Sequence, residues 1–208
     1  MKSKLSSRIG LGLLAVAFAL APLVGASSAS AQPTPRVVFA GGCFWGMQGV
    51  FEHVKGVTRV VAGYSGGQAS TAQYEAVSTG TTGHAESVQI DYDPSKVSFS
   101  QLLNVYFTVA HDPTELNRQG PDSGSQYRSE VFYTTDTQRR ETLSEMKSLE
   151  AKHIFRDPIV TQVKPLHGFY AAEAYHQFYM DHNPNNPYIV INDKPKVQDL
   201  RAKFPQLV

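Results

Sequence analysis

Val37-Val38-Phe39-Ala40-Gly41-Gly42-Cys43-Phe44-Trp45-Gly46 reads as a buried strand that breaks at a glycine turn and enters a helix, with Met47 to His53 continuing that helix. Cys43 lies at the turn. It is the only cysteine of the 208 residues, so it has no internal disulfide partner and is either an inert buried side chain or a reactive group. Its place favours reactivity. The free N–H groups and the positive dipole end of a helix entrance favour a thiolate, and flanking glycines are expected to expose the group. The dipole is worth on the order of 1 kcal/mol, under one unit of pKa, so a substrate or a neighbouring side chain must complete the activation.

Working outward, the first strand is Arg36–Ala40 and the first helix spans 44–53, closed by Gly56. Strands follow over 58–64 and 86–92, the second ended by Asp93-Pro94. Val88, Ile90 and Tyr92 fall on one face of that strand, Gln89 and Asp91 on the other. A helix over 99–110 opens with Ser98 and Gln101 at capping-box spacing and carries Leu102, Leu103, Tyr106, Phe107 and Ala110 as its apolar stripe. The pattern then gives a strand over 129–133 and a helix over 137–153, opened by Thr135 and Gln138 as a second capping box. A fifth strand over 159–164, a helical stretch over 171–181 and a short last helix over 197–203 complete it.

Up to residue 133 the order is βαββαβ. That order predicts an α+β fold: a ferredoxin-like two-layer α/β sandwich with long loops and a C-terminal extension. In that topology the first two strands run one way, and the third and fourth run the other. The ends of the first two then share a rim with the starts of the other two. Connections over 65–85 and 111–128 fall on the same rim and are long enough to be functional. Topology alone therefore gathers Cys43, Tyr74, Glu86, Asp122 and Tyr127 at one place.

Residues 1–31 are set apart from the fold. Lys2, Lys4 and Arg8 form a basic start, an apolar stretch runs from Ile9 to Ala21, and Ala29-Ser30-Ala31 is a small-residue cleavage signal before Gln32. This reads as a secretory signal peptide, leaving 32–208 as one exported domain, periplasmic or secreted, with no membrane attachment after cleavage. Its loss removes three basic residues and takes the formal charge from +1 to −2. Nothing in that balance suggests nucleic acid or an anionic membrane, and nothing demands more than a monomer.

Several side chains on the rim suit a common chemistry. An ionised Glu86 would repel a thiolate, whereas a protonated one can donate to a leaving oxygen. Burial beside Phe44 and Trp45 would raise its pKa in that direction. Phe44 and Trp45 are either core packing or an apolar wall for a small group. Tyr74 and Tyr127 can aim two O–H donors at one oxygen, and Asp122 sits in an ordinary turn sequence. His84, His111 and His176 have no compact metal-ligand spacing, so no metal site is expected.

The segment Gly42-Cys43-Phe44-Trp45-Gly46 resembles the signature of the peptide methionine sulfoxide reductase A family. The resemblance continues through Gly63-Tyr64-Ser65-Gly66-Gly67, Tyr74, Gly83-His84-Ala85-Glu86, Tyr92-Asp93-Pro94 and His111-Asp112-Pro113-Thr114. It also takes in Asn117-Arg118-Gln119-Gly120, Asp122, Gly124-Ser125-Gln126-Tyr127-Arg128-Ser129, His176-Gln177, Tyr179 and Asn183-Pro184. It implies reduction of the S epimer of methionine sulfoxide, free or in oxidised proteins, with no bound cofactor. By similarity, Cys43 is the nucleophile and Glu86 the acid. Tyr74 and Tyr127 hold the oxygen, Phe44 and Trp45 form the methyl pocket, and Asp122 is a further acid of the site. Many family members resolve the resulting sulfenic acid with C-terminal cysteines, and residues 183–208 hold none. The expected reductant is therefore external: a thioredoxin- or glutaredoxin-like partner or a small thiol, dithiothreitol in vitro. Competing readings are a cysteine hydrolase pairing Cys43 with His84, His111 or His176, a single-cysteine peroxidase, and a sulfoxide-binding module without catalysis.

Overall fold

The computed structural model describes residues 35–208; the expected export segment and its cleavage point lie outside the described residues. β1 (Arg36–Ala40) turns into α1 (Phe44–Glu52). β2 (Val57–Ser65), a short α2 (Tyr74–Val77) and β3 (Ala85–Tyr92) follow. α3 (Phe99–Val105) widens into a π turn over Tyr106–Ala110, where the sequence pattern predicts one continuous helix. The hairpin of β4 (Arg118–Gln119) and β5 (Asp122–Ser123) precedes β6 (Glu130–Tyr133) and α4 (Asp136–Ala151). The remainder is β7 (Gln162–Pro165), β8 (Phe169–Ala171), α5 (Tyr179–His182) and α6 (Lys194–Lys203).

Six strands form one sheet in the order β7-β6-β1-β3-β2-β8. β3 runs antiparallel to both β1 and β2, and β6 runs antiparallel to β1. The central β6-β1-β3-β2 unit is therefore the ferredoxin-like order expected from the βαββαβ pattern. β7 adds a parallel edge beside β6, and β8 covers only the last residues of β2, Gly63 to Ser65. Val37 and Phe39 of β1 face the helices and pack in the main core with Val50, Phe51, Leu102, Leu103 and Tyr106. Val38 and Ala40 point the other way, into a smaller cluster with Ala85 and Phe132. Both faces being covered explains why β1 is apolar without alternation. The Phe39 ring lies 4.5 Å from Tyr106 and 5.5 Å from Phe51, and burial of such a side chain is worth about 1.5–3 kcal/mol.

Ser98 and Gln101 form a complete capping box at the start of α3. The second expected box is half made. The Thr135 hydroxyl accepts the Gln138 N–H, but the Gln138 amide turns away. Its oxygen accepts the Thr134 N–H and its nitrogen donates to the Arg36 carbonyl, which ties α4 to β1 instead.

The expected helix over 171–181 does not form. Ala171 ends β8, and Gln177 reaches back to the sheet edge that β8 leaves open. Its side-chain oxygen accepts the Ala62 N–H, and its amide donates to the carbonyls of Ala62 and Ala172. A continuous helix would carry Gln177 away from those groups. Phe178 then adopts the left-handed conformation at φ 52 before α5 begins. The fifth strand starts at Gln162 rather than 159, because the Val160 N–H is taken by the Pro113 carbonyl of the 111–128 connection. The last helix begins at Lys194, with Pro195 in its first turn, where a missing N–H costs nothing.

Candidate active site

Cys43 is the N-cap residue of α1, and the two glycines before it do not open it to water. They make room for the 111–128 connection to close over it. A Cβ at Gly41 would stand 2.7 Å from the His111 ring, and one at Gly42 would stand 2.5 Å from the Gln119 side chain. Gly42 also has φ +88, which few residues but glycine adopt. The thiol is consequently buried, at 8% exposure, where the sequence predicted an exposed group.

The strands and rim loops converge as the topology requires. Cys43, Phe44, Trp45, Tyr74, Glu86, Asp122 and Tyr127 all line one cavity of about 190 Å3. Glu86 comes from the start of β3, opposite Tyr64, and points to the helix side. It is 3% exposed, and its carboxylate accepts the Phe44 N–H, the first free donor of α1, at 3.0 Å. Tyr74 opens α2. Its N–H donates to Glu173 at 2.9 Å, and the other Glu173 oxygen accepts the Tyr64 hydroxyl, so one carboxylate fixes both. Tyr127 ends a tight turn, Ser125–Tyr127, just before β6. Trp45 stacks face to face on Tyr179 at 3.7 Å, and its indole N–H donates to His176 Nδ1 at 3.1 Å.

Tyr188 also lines the cavity, and sequence reasoning missed it. Its hydroxyl donates to Asp122, and its ring meets Trp45 edge-on at 5.9 Å. Asp122 is thereby joined to the C-terminal segment. The available signal was weak: an aromatic directly after Pro187, outside any periodic element. None of the three histidines lines the cavity. His84 contacts Gly67 and Gln68, His111 contacts Tyr106 and Ser129, and His176 receives the Trp45 indole. Burial also pushes His111 down to about 4, so it is neutral.

Electrostatics follow from burial. The Glu86 carboxyl is lifted to about 8, chiefly by desolvation; the Phe44 N–H opposes the rise, and the charges of Asp122 and Asp193 add to it. Glu86 is thus mostly protonated at neutral pH, as the sequence argument required. The Cys43 thiol is also pushed well above its usual range, first by burial and then by Glu86 and Asp193. The Trp45 N–H and the Lys196 ammonium act in the opposite sense and lose. The helix entrance, expected to bring the thiol part of the way towards a thiolate, is overridden: the resting group is a thiol, because desolvation outweighs the dipole. Tyr74 and Tyr127 are raised by burial and then by the Glu86 charge, so both hydroxyls keep their protons. The cavity thus presents a thiol, a neutral carboxylic acid and two phenol donors around an aromatic wall.

A family model described as peptide methionine sulfoxide reductase matches residues 35–207. Peptide methionine sulfoxide reductase MsrA 2 of Mesorhizobium japonicum is 55% identical over 178 residues, covering 86% of this chain and 91% of that protein. Among solved structures, reduced Mxr1 from Saccharomyces cerevisiae superposes with a TM-score of 0.68 at 33% identity, over 73% of this chain and 87% of that one. Methionine sulfoxide reductase A of Corynebacterium diphtheriae superposes at 0.65 and 33% identity, over 75% and 78%. With a match running almost from the first described residue to the last, and relatives this similar over most of their own length, the chain belongs to the peptide methionine sulfoxide reductase MsrA family.

Proposed function

We propose that this enzyme reduces methionine S-sulfoxide, free or in oxidised proteins, with Cys43 as nucleophile and Glu86 as acid. The observation that carries the reading is the joint burial of a lone thiol and a protonated carboxyl at one cavity. Cys43 sulfur attacks the sulfoxide sulfur while Glu86 gives its proton to the departing oxygen. Tyr74 and Tyr127 donate hydrogen bonds to that oxygen and polarise the S–O bond. Phe44 and Trp45, the latter held by Tyr179 and His176, receive the apolar methyl group. Asp122, bonded to Tyr188, shapes the remaining wall. The oxygen ends on Cys43 as a sulfenic acid, methionine is released, and the thiol's proton restores Glu86. Methionine sulfur is reduced by two electrons and Cys43 is oxidised by two.

The chain has no second cysteine, so the sulfenic acid is returned to thiol by an external dithiol protein or small thiol. Export to the periplasm after cleavage near Ala31 is part of the same proposal, supported by the basic, apolar and small-residue order of residues 1–31. The test is a single turnover without reductant on the protein lacking that segment. One methionine per protein and one dimedone-trapped sulfenic acid at Cys43 are expected, and neither with Cys43→Ser. Absence of methionine from the wild-type reaction refutes the reading.

A further inference from the structure

Gly46 sits in the first turn of α1, and its neighbours come from the far end of the chain. A Cβ at Gly46 would stand 2.1 Å from Oδ1 of Asp193 and 2.9 Å from Nζ of Lys196. Asp193 is 0% exposed and pairs with Lys196 at 3.3 Å, the lysine side chain being 17% exposed. The second carboxylate oxygen, Oδ2, has no hydrogen-bond partner among the described residues. Asp193 closes a π turn over Ile189–Asp193, which begins directly after the cavity residue Tyr188, and Lys196 follows in α6. Stability does not account for this arrangement. A buried ion pair is weak evidence for stability, an unpartnered buried oxygen costs more, and π turns concentrate at functional places.

Besides the phenols of Tyr74, Tyr127 and Tyr188 that share its cavity, the groups that act on the thiol come from three elements. They are Glu86 of β3, the Trp45 N–H of α1, and Asp193 with Lys196 at the start of α6. Asp122 of β5 acts on Glu86 and on Asp193. Asp193 disfavours charge on Cys43 and on Glu86, and Lys196 favours it on Cys43. Lys196 also restrains Asp193 itself, which burial lifts to about 6.

We propose that Asp193 and Lys196 form a positioning pair for the reaction at Cys43, with Lys196 neutralising Asp193 so that negative charge can form on the Cys43 sulfur as Glu86 gives its proton to the substrate oxygen, the thiol's proton then restoring Glu86. The inference rests on the reading of Cys43 as nucleophile. Without Lys196, a bare carboxylate faces α1's first turn and opposes every negative charge formed there. Without the Asp193 charge, the remaining ammonium assists the thiolate, and Glu86 loses one of the charges that keep it protonated.

The lone cysteine makes the test direct, because iodoacetamide uptake reports Cys43 alone. Its rate is measured against pH for the wild type, Lys196→Met, Lys196→Arg and Asp193→Asn, with thermal unfolding as the check on folding. Lys196→Met is expected to move the profile to higher pH and slow alkylation at neutral pH by about tenfold for a shift of one unit. Lys196→Arg should track the wild type, and Asp193→Asn should move the profile to lower pH. If Lys196→Met does not fold, the neutral double variant Asp193→Asn/Lys196→Met replaces it, and its profile should lie below that of the wild type. Profiles of folded variants that superimpose on the wild type overturn the proposal. Alkylation needs no sulfoxide, so that result leaves the single-turnover test of the reductase reading untouched.

Discussion

Replacing Glu86 by Gln should stabilise the protein increasingly as pH rises, and burial of the carboxyl sets the size of the gain. Glu86 is 3% exposed, and its carboxyl is lifted to about 8 in the fold. In the unfolded chain it titrates near about 4.3. Between those values the folded protein holds a proton that the unfolded chain has released. Stability then falls with rising pH, by about 1.4 kcal/mol per pH unit. The contribution is fully present below about pH 4.5 and is gone once pH passes about 8, a loss on the order of 5 kcal/mol. Glutamine does not titrate, and its amide oxygen can keep the Phe44 N–H bond. The stability difference between Glu86→Gln and wild type should therefore be small at about pH 5, grow by about 1.4 kcal/mol per unit, and level off above about pH 8.

Urea unfolding at a series of pH values measures this. The wild-type curve alone is ambiguous, because burial also lifts Glu52 to about 7 and Asp193 to about 6, and both lose stability in the same direction. Subtracting the variant's curve removes them, since both groups titrate in either protein. A difference that stays constant from about pH 5 to about pH 9 would mean that Glu86 is already ionised in the fold. The acid role proposed for it would then lose its physical basis.

Other substitutions test the walls of the cavity. Gly46→Ala drives a methyl group into the buried Asp193 carboxylate and should cost about 1–3 kcal/mol, read as a lower urea midpoint. Tyr188→Phe removes the hydroxyl that serves Asp122; it should cost about 1–3 kcal/mol and slow single-turnover methionine formation, and an unchanged rate would deny the tyrosine any part in shaping the site. Trp45→Ala strips the wall that stacks on Tyr179. It should raise KM for methionine sulfoxide more than it lowers kcat, as expected for lost binding rather than lost chemistry.

The parts of this molecule that were legible in the sequence depend on local pattern plus a topological rule. β1 was readable because an unbroken apolar run ends at two glycines, and the Ser98–Gln101 box marked α3. Once the βαββαβ order is set, handedness and strand direction bring Cys43, Glu86, Tyr74, Asp122 and Tyr127 to one rim with no further information. The misread stretches depend on partners distant in sequence. Gln177 leaves helical geometry to serve Ala62, 115 residues away, and Gln138 abandons its own N-cap backbone for Arg36. Tyr188 carries no pattern of its own, since its meaning comes from Asp122.

The protonation of Cys43 shows the same division in energetic form. A helix entrance is visible in ten residues and offers the thiolate about 0.3–1 kcal/mol. The opposing desolvation is set by Gln119 and His111 pressed onto Gly42 and Gly41, residues some seventy positions downstream. Burial pushes the thiol up by more than the helix entrance brings it down, and Glu86 and Asp193 add to the rise. The same burial that keeps Cys43 a thiol also keeps Glu86 protonated, so the resting cavity carries no charge at either group. In the proposed reaction, charge is needed there as the substrate oxygen takes a proton. A lone thiol that rests protonated is also protected from indiscriminate oxidation, because oxidants react with the thiolate.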